Sequence, residues 1–138
     1  MENSRKIWFS LALVLVGFTQ AAQAQRVHEI RIEANAEKDI YRFSPSSLTA
    51  RPGDIVVFKA GGGVPHSIVF ESTGLNEATH EALNGALNRR SGDLSSPLLT
   101  SEGAEYRVVV PRIAPGIYRF YCLPHRAYDL RGQLRITK

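Results

Sequence analysis

Cysteine, methionine and tryptophan each occur once in the 138-residue sequence, and histidine occurs four times. A lone cysteine cannot form a disulfide within its own chain, so no covalent staple holds this fold. Four histidines are too few for enzymes that carry several histidine-rich metal centres. Beyond residue 24 no stretch is apolar enough to cross a bilayer, and the sequence has no internal repeats or low-complexity tracts. Hydrophobic residues make up 43% and charged residues 22%, the balance of an ordinary globular domain and not of a disordered tail. The formal charge of +4 is modest. It gives little support to nucleic-acid binding.

The first residues have the form of an export signal. Arg5 and Lys6 precede the apolar run Ile7 to Phe18, and Ala22-Gln23-Ala24 has the small-x-small pattern of a signal-peptidase site. The run falls short of the ~20 apolar residues of a membrane span, so residues 1–24 are expected to be cleaved rather than kept as an anchor. Cleavage removes Met1 and Trp8, and the charge becomes +3 as Glu2, Arg5 and Lys6 leave. The exported domain, 25–138, then contains no methionine and no tryptophan. Its one thiol in an oxidising compartment needs a reason to be there: a metal, an intermolecular bridge or burial.

Short β-type runs separated by turn signals dominate the rest. Val27 to Ala34 alternates, with Ile30 and Ile32 on one face and Glu29, Arg31 and Glu33 on the other. Strands are expected at Tyr41–Pro45, Ser47–Ala50, Ile55–Lys59, Ser67–Phe70, Glu105–Val110, Gly116–Tyr121 and Gln133–Ile136, with turns at Arg51-Pro52-Gly53-Asp54 and Gly61-Gly62-Gly63. Strands at this spacing predict an all-β sandwich. From Asn76 to Asn88 the period changes: Ala78, Ala82, Leu83, Ala86 and Leu87 fall at helical spacing, with Asn76 as N-cap and Ser91-Gly92 as stop. One short helix inside a long connection is predicted, its apolar stripe covering the sandwich.

Three residues carry the candidate chemistry. Cys122 closes a strand, and His125 lies three residues on in a loop that can fold both side chains to one point. His66 follows a different strand, in Val64-Pro65-His66-Ser67. Two imidazoles and one thiolate make the ligand set of a trigonal copper site, and the same donor types suit zinc if a fourth ligand is present. Taken singly, a cysteine in a β-domain is more often a small buried hydrophobe, and a histidine a surface or hydrogen-bonded residue. A Cys-His nucleophilic pair is the catalytic alternative, but no orienting group or signature accompanies it.

In context these residues resemble the cupredoxins, most nearly the plastocyanin and pseudoazurin group of small blue-copper proteins. Pro65-His66 leading into Ser67-Ile68-Val69-Phe70, Tyr118 to His125 with its Cys-x-Pro-His, and Gly132 opening the last strand carry the likeness. It extends through Phe43-Ser44-Pro45 and Arg51 to Phe58, nearly the whole exported chain. The resemblance implies an eight-strand Greek-key sandwich with one copper ion at one end, held by His66, Cys122 and His125. It also implies one-electron transfer and no catalysis, with His125 as the electron port in a hydrophobic patch that includes Leu123, Pro124 and Ala127.

The sequence departs from the family twice. Where the family places an axial methionine, two residues before Gly132, this chain has Leu130. A trigonal site survives loss of that weak bond, and replacing sulfur with an alkyl group should raise the reduction potential. Asp129 as an oxygen ligand, or a degenerate site, are the other outcomes. At the position after His66 the family often has an asparagine that ties the ligand loops together, and Ser67 has a shorter reach. With net charge +3, and with Arg126 and Arg131 beside the port, a monomer that docks briefly on an acidic or neutral redox partner is expected. The rival reading is a non-redox domain for copper storage, delivery or protein interaction.

Overall fold

The computed structural model describes residues 23–138. The expected leader over 1–24 lies outside the described residues except for its last two positions. Eight strands form two four-stranded sheets: β1 Val27–Asn35, β2 Ile40–Ser44, β3 Ser47–Ala50, β4 Ile55–Ala60, β5 Val69–Phe70, β6 Glu105–Val109, β7 Gly116–Tyr121 and β8 Arg131–Ile136. One sheet runs β2-β1-β4-β6 and the other β3-β8-β7-β5. Most neighbours are antiparallel, but β1 pairs with β4 and β3 with β8 in parallel. A long crossing connection is needed for each parallel pair, and these connections give the sandwich its non-meandering topology.

Period-two patterning places the core between the sheets. Ile30 and Ile32 on β1 are fully buried, while Glu29 and Arg31 project outward and pair with each other. Four phenylalanines, two from each sheet, meet around Phe120. Its ring lies 4.9 Å from Phe43, 5.3 Å from Phe58 and 5.9 Å from Phe70, all edge-on. Edge-to-face pairs of this kind are each worth about 0.5–1.5 kcal/mol beyond their buried area.

The helix, α1, spans Glu77–Ala86 and ends sooner than the Ser91-Gly92 stop predicts. Asn76 caps it by accepting a hydrogen bond from the Thr79 amide at 2.8 Å. Leu83 and Leu87 enter the core, whereas Ala78 is exposed and the small Thr79 takes a buried place. The expected strand Ser67–Phe70 is also shorter. Its first two residues are drawn out of the ladder because the Ile68 amide donates to Ser96 Oγ at 2.9 Å and the Ser67 amide to Cys122 Sγ at 3.5 Å. No helix among the described residues is long and apolar enough to cross a membrane.

Candidate metal centre

Each of the three candidate ligands is delivered by an element that ends where the sandwich closes. On β7 the inward parity that buries Phe120 continues to Cys122, whose amide donates to the Leu130 carbonyl at 2.9 Å. Beyond it the chain turns through a single 3-10 turn, Arg126–Tyr128, and Asp129 takes the left-handed conformation, φ +55°. That turn lets His125 fold back over Cys122. His66 comes from the opposite side, where its backbone exchanges two hydrogen bonds with Leu99, at 3.0 and 2.8 Å.

The three side chains converge. Their candidate ligand atoms all lie within 4.8 Å of one another, and no other group of three such residues comes together among the described residues. Cys122 Sγ is 3.7 Å from His66 Nδ1 and 3.5 Å from His125 Nδ1. His66 Nε2 lies 2.8 Å from the Gly61 carbonyl, which can only accept, so the ring proton sits on Nε2 and Nδ1 is left with its lone pair toward the thiol.

The electrostatics suit a soft metal cation. Burial pushes the His66 imidazole below its ordinary value, outweighing the bond to Gly61 and the Glu102 charge, which pull it up. Burial, followed by the neighbouring His66, does the same to His125. Burial raises the Cys122 thiol, opposed by backbone hydrogen bonds from Ser67 and His125. Two neutral imidazoles and a hindered thiol therefore stand together in a buried pocket. Loss of the thiol proton on metal uptake turns them into an N,N,S⁻ donor set, which fits copper.

The remaining site candidates fall around this centre. Leu130 is fully buried, and the neighbouring Asp129 turns its carboxylate outward to Arg131 Nε at 2.7 Å. Ser67 is buried, and its Oγ accepts from the Leu123 amide at 3.2 Å. Leu123 is 56% exposed, Pro124, Arg126 and Ala127 are exposed, and His125 is partly covered. The Arg126 guanidinium lies 4.9 Å over the Tyr121 ring. Arg131 is held by Glu71 at 2.8 Å as well as by Asp129.

Two participants were not singled out from the sequence. Gly61 shows only as part of a loop, since a backbone acceptor leaves no residue-type signal. Tyr41 lies on β2, and its ring stacks on Tyr128 at 4.2 Å and lies 5.2 Å from His125. Its alternation with the buried Phe43 did not indicate that it reaches the end of the sandwich.

The sequence matches the family described as copper binding proteins, plastocyanin/azurin family, over residues 29–137. It is 30% identical over 129 residues to the chloroplastic plastocyanin of Pisum sativum, covering 94% of this chain and 71% of that protein. Plastocyanin of Nostoc punctiforme is 28% identical over 134 residues, covering 93% of this chain and 91% of the relative. Among solved structures, oxidised plastocyanin from Dryopteris crassirhizoma aligns with a TM-score of 0.62 at 26% identity, over 79% of this chain and 99% of that one. The buried histidine-cysteine-histidine cluster and the match across both sheets lead to one assignment: the chain belongs to the plastocyanin/azurin family of copper-binding proteins.

Proposed function

We propose that this protein is an exported, monomeric carrier of single electrons, with one copper held by His66, Cys122 and His125, and with Leu130 supplying no donor at the fourth position. Copper, when bound, supplies a one-electron change between Cu(II) and Cu(I). The observation that carries the reading is the convergence of one buried thiol and two imidazole ring nitrogens within 4.8 Å. Signal-type residues at 1–24 support export, with the periplasm or another extracytoplasmic space as destination.

The chain's own residues keep such a centre still. The Gly61 carbonyl fixes the His66 ring, the Ser67 amide points at Sγ, and the Ser67 hydroxyl joins the two ligand loops. A donor set held this firmly favours electron transfer because little has to move between oxidation states. Three clefts elsewhere on the surface do not open onto His66, Cys122 or His125; one of about 570 Å³ is lined by Arg31, Lys38, Lys59 and Glu102 among others. The firm hold on the donor set is what supports a carrier of electrons.

Leu130 leaves Cu(II) with one donor fewer than a methionine would, and Cu(II) gains more from added donors than Cu(I) does. The proposed consequence is a raised potential. The exposed Leu123 and Pro124 beside His125 make a small apolar contact for brief docking. Arg126 is the cation beside it that attracts an acidic partner. Arg131, paired twice, contributes less.

The test is a Cu(II) titration of residues 25–138 followed by visible absorption and EPR, with Cys122→Ser as control. The expected result is an intense thiolate-to-copper band that saturates at one equivalent, bleaches reversibly with reductant and is absent from the variant. A folded, reduced chain that gives no such band would refute the carrier reading and favour a non-redox interaction domain.

A further inference from the structure

The loop Gly61-Gly62-Gly63 carries the carbonyl that fixes His66, yet its own residues have no side chains with which to hold it. Gly62 and Gly63 both have positive φ, +81° and +63°. Three successive glycines lose more conformational freedom on ordering than any other residues would. Gly61 is still anchored, since its amide donates to Ile32 O on β1 at 2.9 Å. Two residues later the backbone has left the sheet. There the Gly63 amide donates to the carboxylate of Glu102, at 2.7 Å to Oε2.

Glu102 is well placed to act as a fixed point. It sits in a tight turn closed by the Ala104 amide on Ser101 O, at 3.0 Å. That turn is fastened to the end of β4 by Gly103 N–H to Ala60 O and Ala60 N–H to Ala104 O, both 2.8 Å. The same segment begins at Leu99, which holds the His66 backbone. Residues 99–104 thus grip the strand end, the glycine loop and the ligand's own backbone in succession. Of these grips, only the one on Gly63 is made by a side chain. No arginine, lysine or histidine forms an ion pair with Glu102 among the described residues, and a carboxylate bond to an amide is among the stronger hydrogen bonds.

We infer that Glu102 is a positioning residue for the metal centre: its carboxylate pins the glycine loop so that the Gly61 carbonyl holds the His66 ring with Nδ1 facing Cys122. The inference rests on the reading of His66 as a ligand for its consequence in copper binding, but not for its geometry.

The experiment compares wild type, Glu102→Ala and Glu102→Gln of residues 25–138, copper-free and in the reduced copper form. NMR follows exchange of the Gly63 amide and of the His66 Nε2 proton, and a chelator measures copper release. In Glu102→Ala the Gly63 amide should exchange at least about tenfold faster, the His66 ring proton severalfold faster, and copper should leave severalfold sooner. Glutamine keeps a side-chain oxygen acceptor and should restore most of each change. Unchanged Gly63 exchange in Glu102→Ala overturns the inference, as does faster Gly63 exchange with an unaltered His66 ring proton. If the wild type takes up no copper, the carrier reading fails, while the two exchange rates of the copper-free chain still decide the role of Glu102. Should Glu102→Ala not fold, Glu102→Asp, one methylene shorter, carries the same comparison.

Discussion

The Leu123 amide donates to Ser67 Oγ across 56 residues of sequence, at 3.2 Å, so the loops bearing His66 and Cys122 are joined by one buried hydroxyl. Ser67→Ala removes the acceptor of this part-buried bond. A loss of about 0.5–1.5 kcal/mol is expected in thermal or denaturant unfolding, together with a shifted visible band. A variant as stable as the parent, with an unmoved band, would mean that the tie is incidental.

Leu130 tests the fourth position directly. Leu130→Met introduces the only thioether within residues 25–138. It should lower the midpoint potential, and a tenfold fall in preference for Cu(I) corresponds to about 59 mV for one electron. Voltammetry of both proteins measures it. An unchanged or higher midpoint would show that another group already occupies the axial side.

Gly132 sits where the ladder passes under Phe120. A Cβ there would lie 2.5 Å from two atoms of the Phe120 ring and 3.2 Å from Ser46 O. Gly132→Ala must therefore push the central ring of the core, at an expected cost of about 1–3 kcal/mol. Denaturant unfolding gives the figure. Because Phe120 is two residues from Cys122, the visible band should broaden as well.

Asp54 predicts how the fold meets acid. Burial pushes its carboxyl up, but bonds from the His28 ring and from the Arg51 and Arg26 amides outweigh this and bring it from 3.8 down to about 2. A depressed carboxyl stabilises the fold above its unfolded value, and that contribution is lost as pH falls through the folded one. About 2 kcal/mol should disappear between roughly pH 4 and 2. Asp54→Asn should flatten this part of the stability profile, as followed by chemical denaturation at a series of pH values.

Arg126 should govern encounter speed more than the properties of the centre. Raising ionic strength past about 0.1 M, where the screening length is about 10 Å, should slow reduction by an acidic redox protein, and Arg126→Glu should slow it further at low salt. Stopped-flow kinetics distinguish this from a salt-independent rate, which would remove the steering argument.

Much of the sandwich was legible because its signals are local. The alternation of Ile30 and Ile32 with Glu29 and Arg31, and the capping Asn76, act within a few residues of themselves. The shortness of β5 was not legible, because it depends on Ser96 and Cys122 competing for the amides of Ile68 and Ser67 from far along the chain. The three members of the metal cluster stood out by residue type. Gly61, Glu102 and Tyr41 did not, since a carbonyl, an exposed carboxylate and a strand tyrosine acquire their places only when the sheets close.

The position of β8 has a consequence for the order in which the centre is built. This last strand, Arg131–Ile136, is not an edge; it lies between β3 and β7 in its sheet. Leu130, immediately before it, accepts the bond from the Cys122 amide. A nascent chain that still lacks Arg131–Ile136 leaves β3 unpaired and β7 with β5 alone, and the Cys122 amide is without its acceptor. Metal therefore has to reach a sandwich into which β8 is already inserted, and a chain cut short before β8 should be unable to retain it.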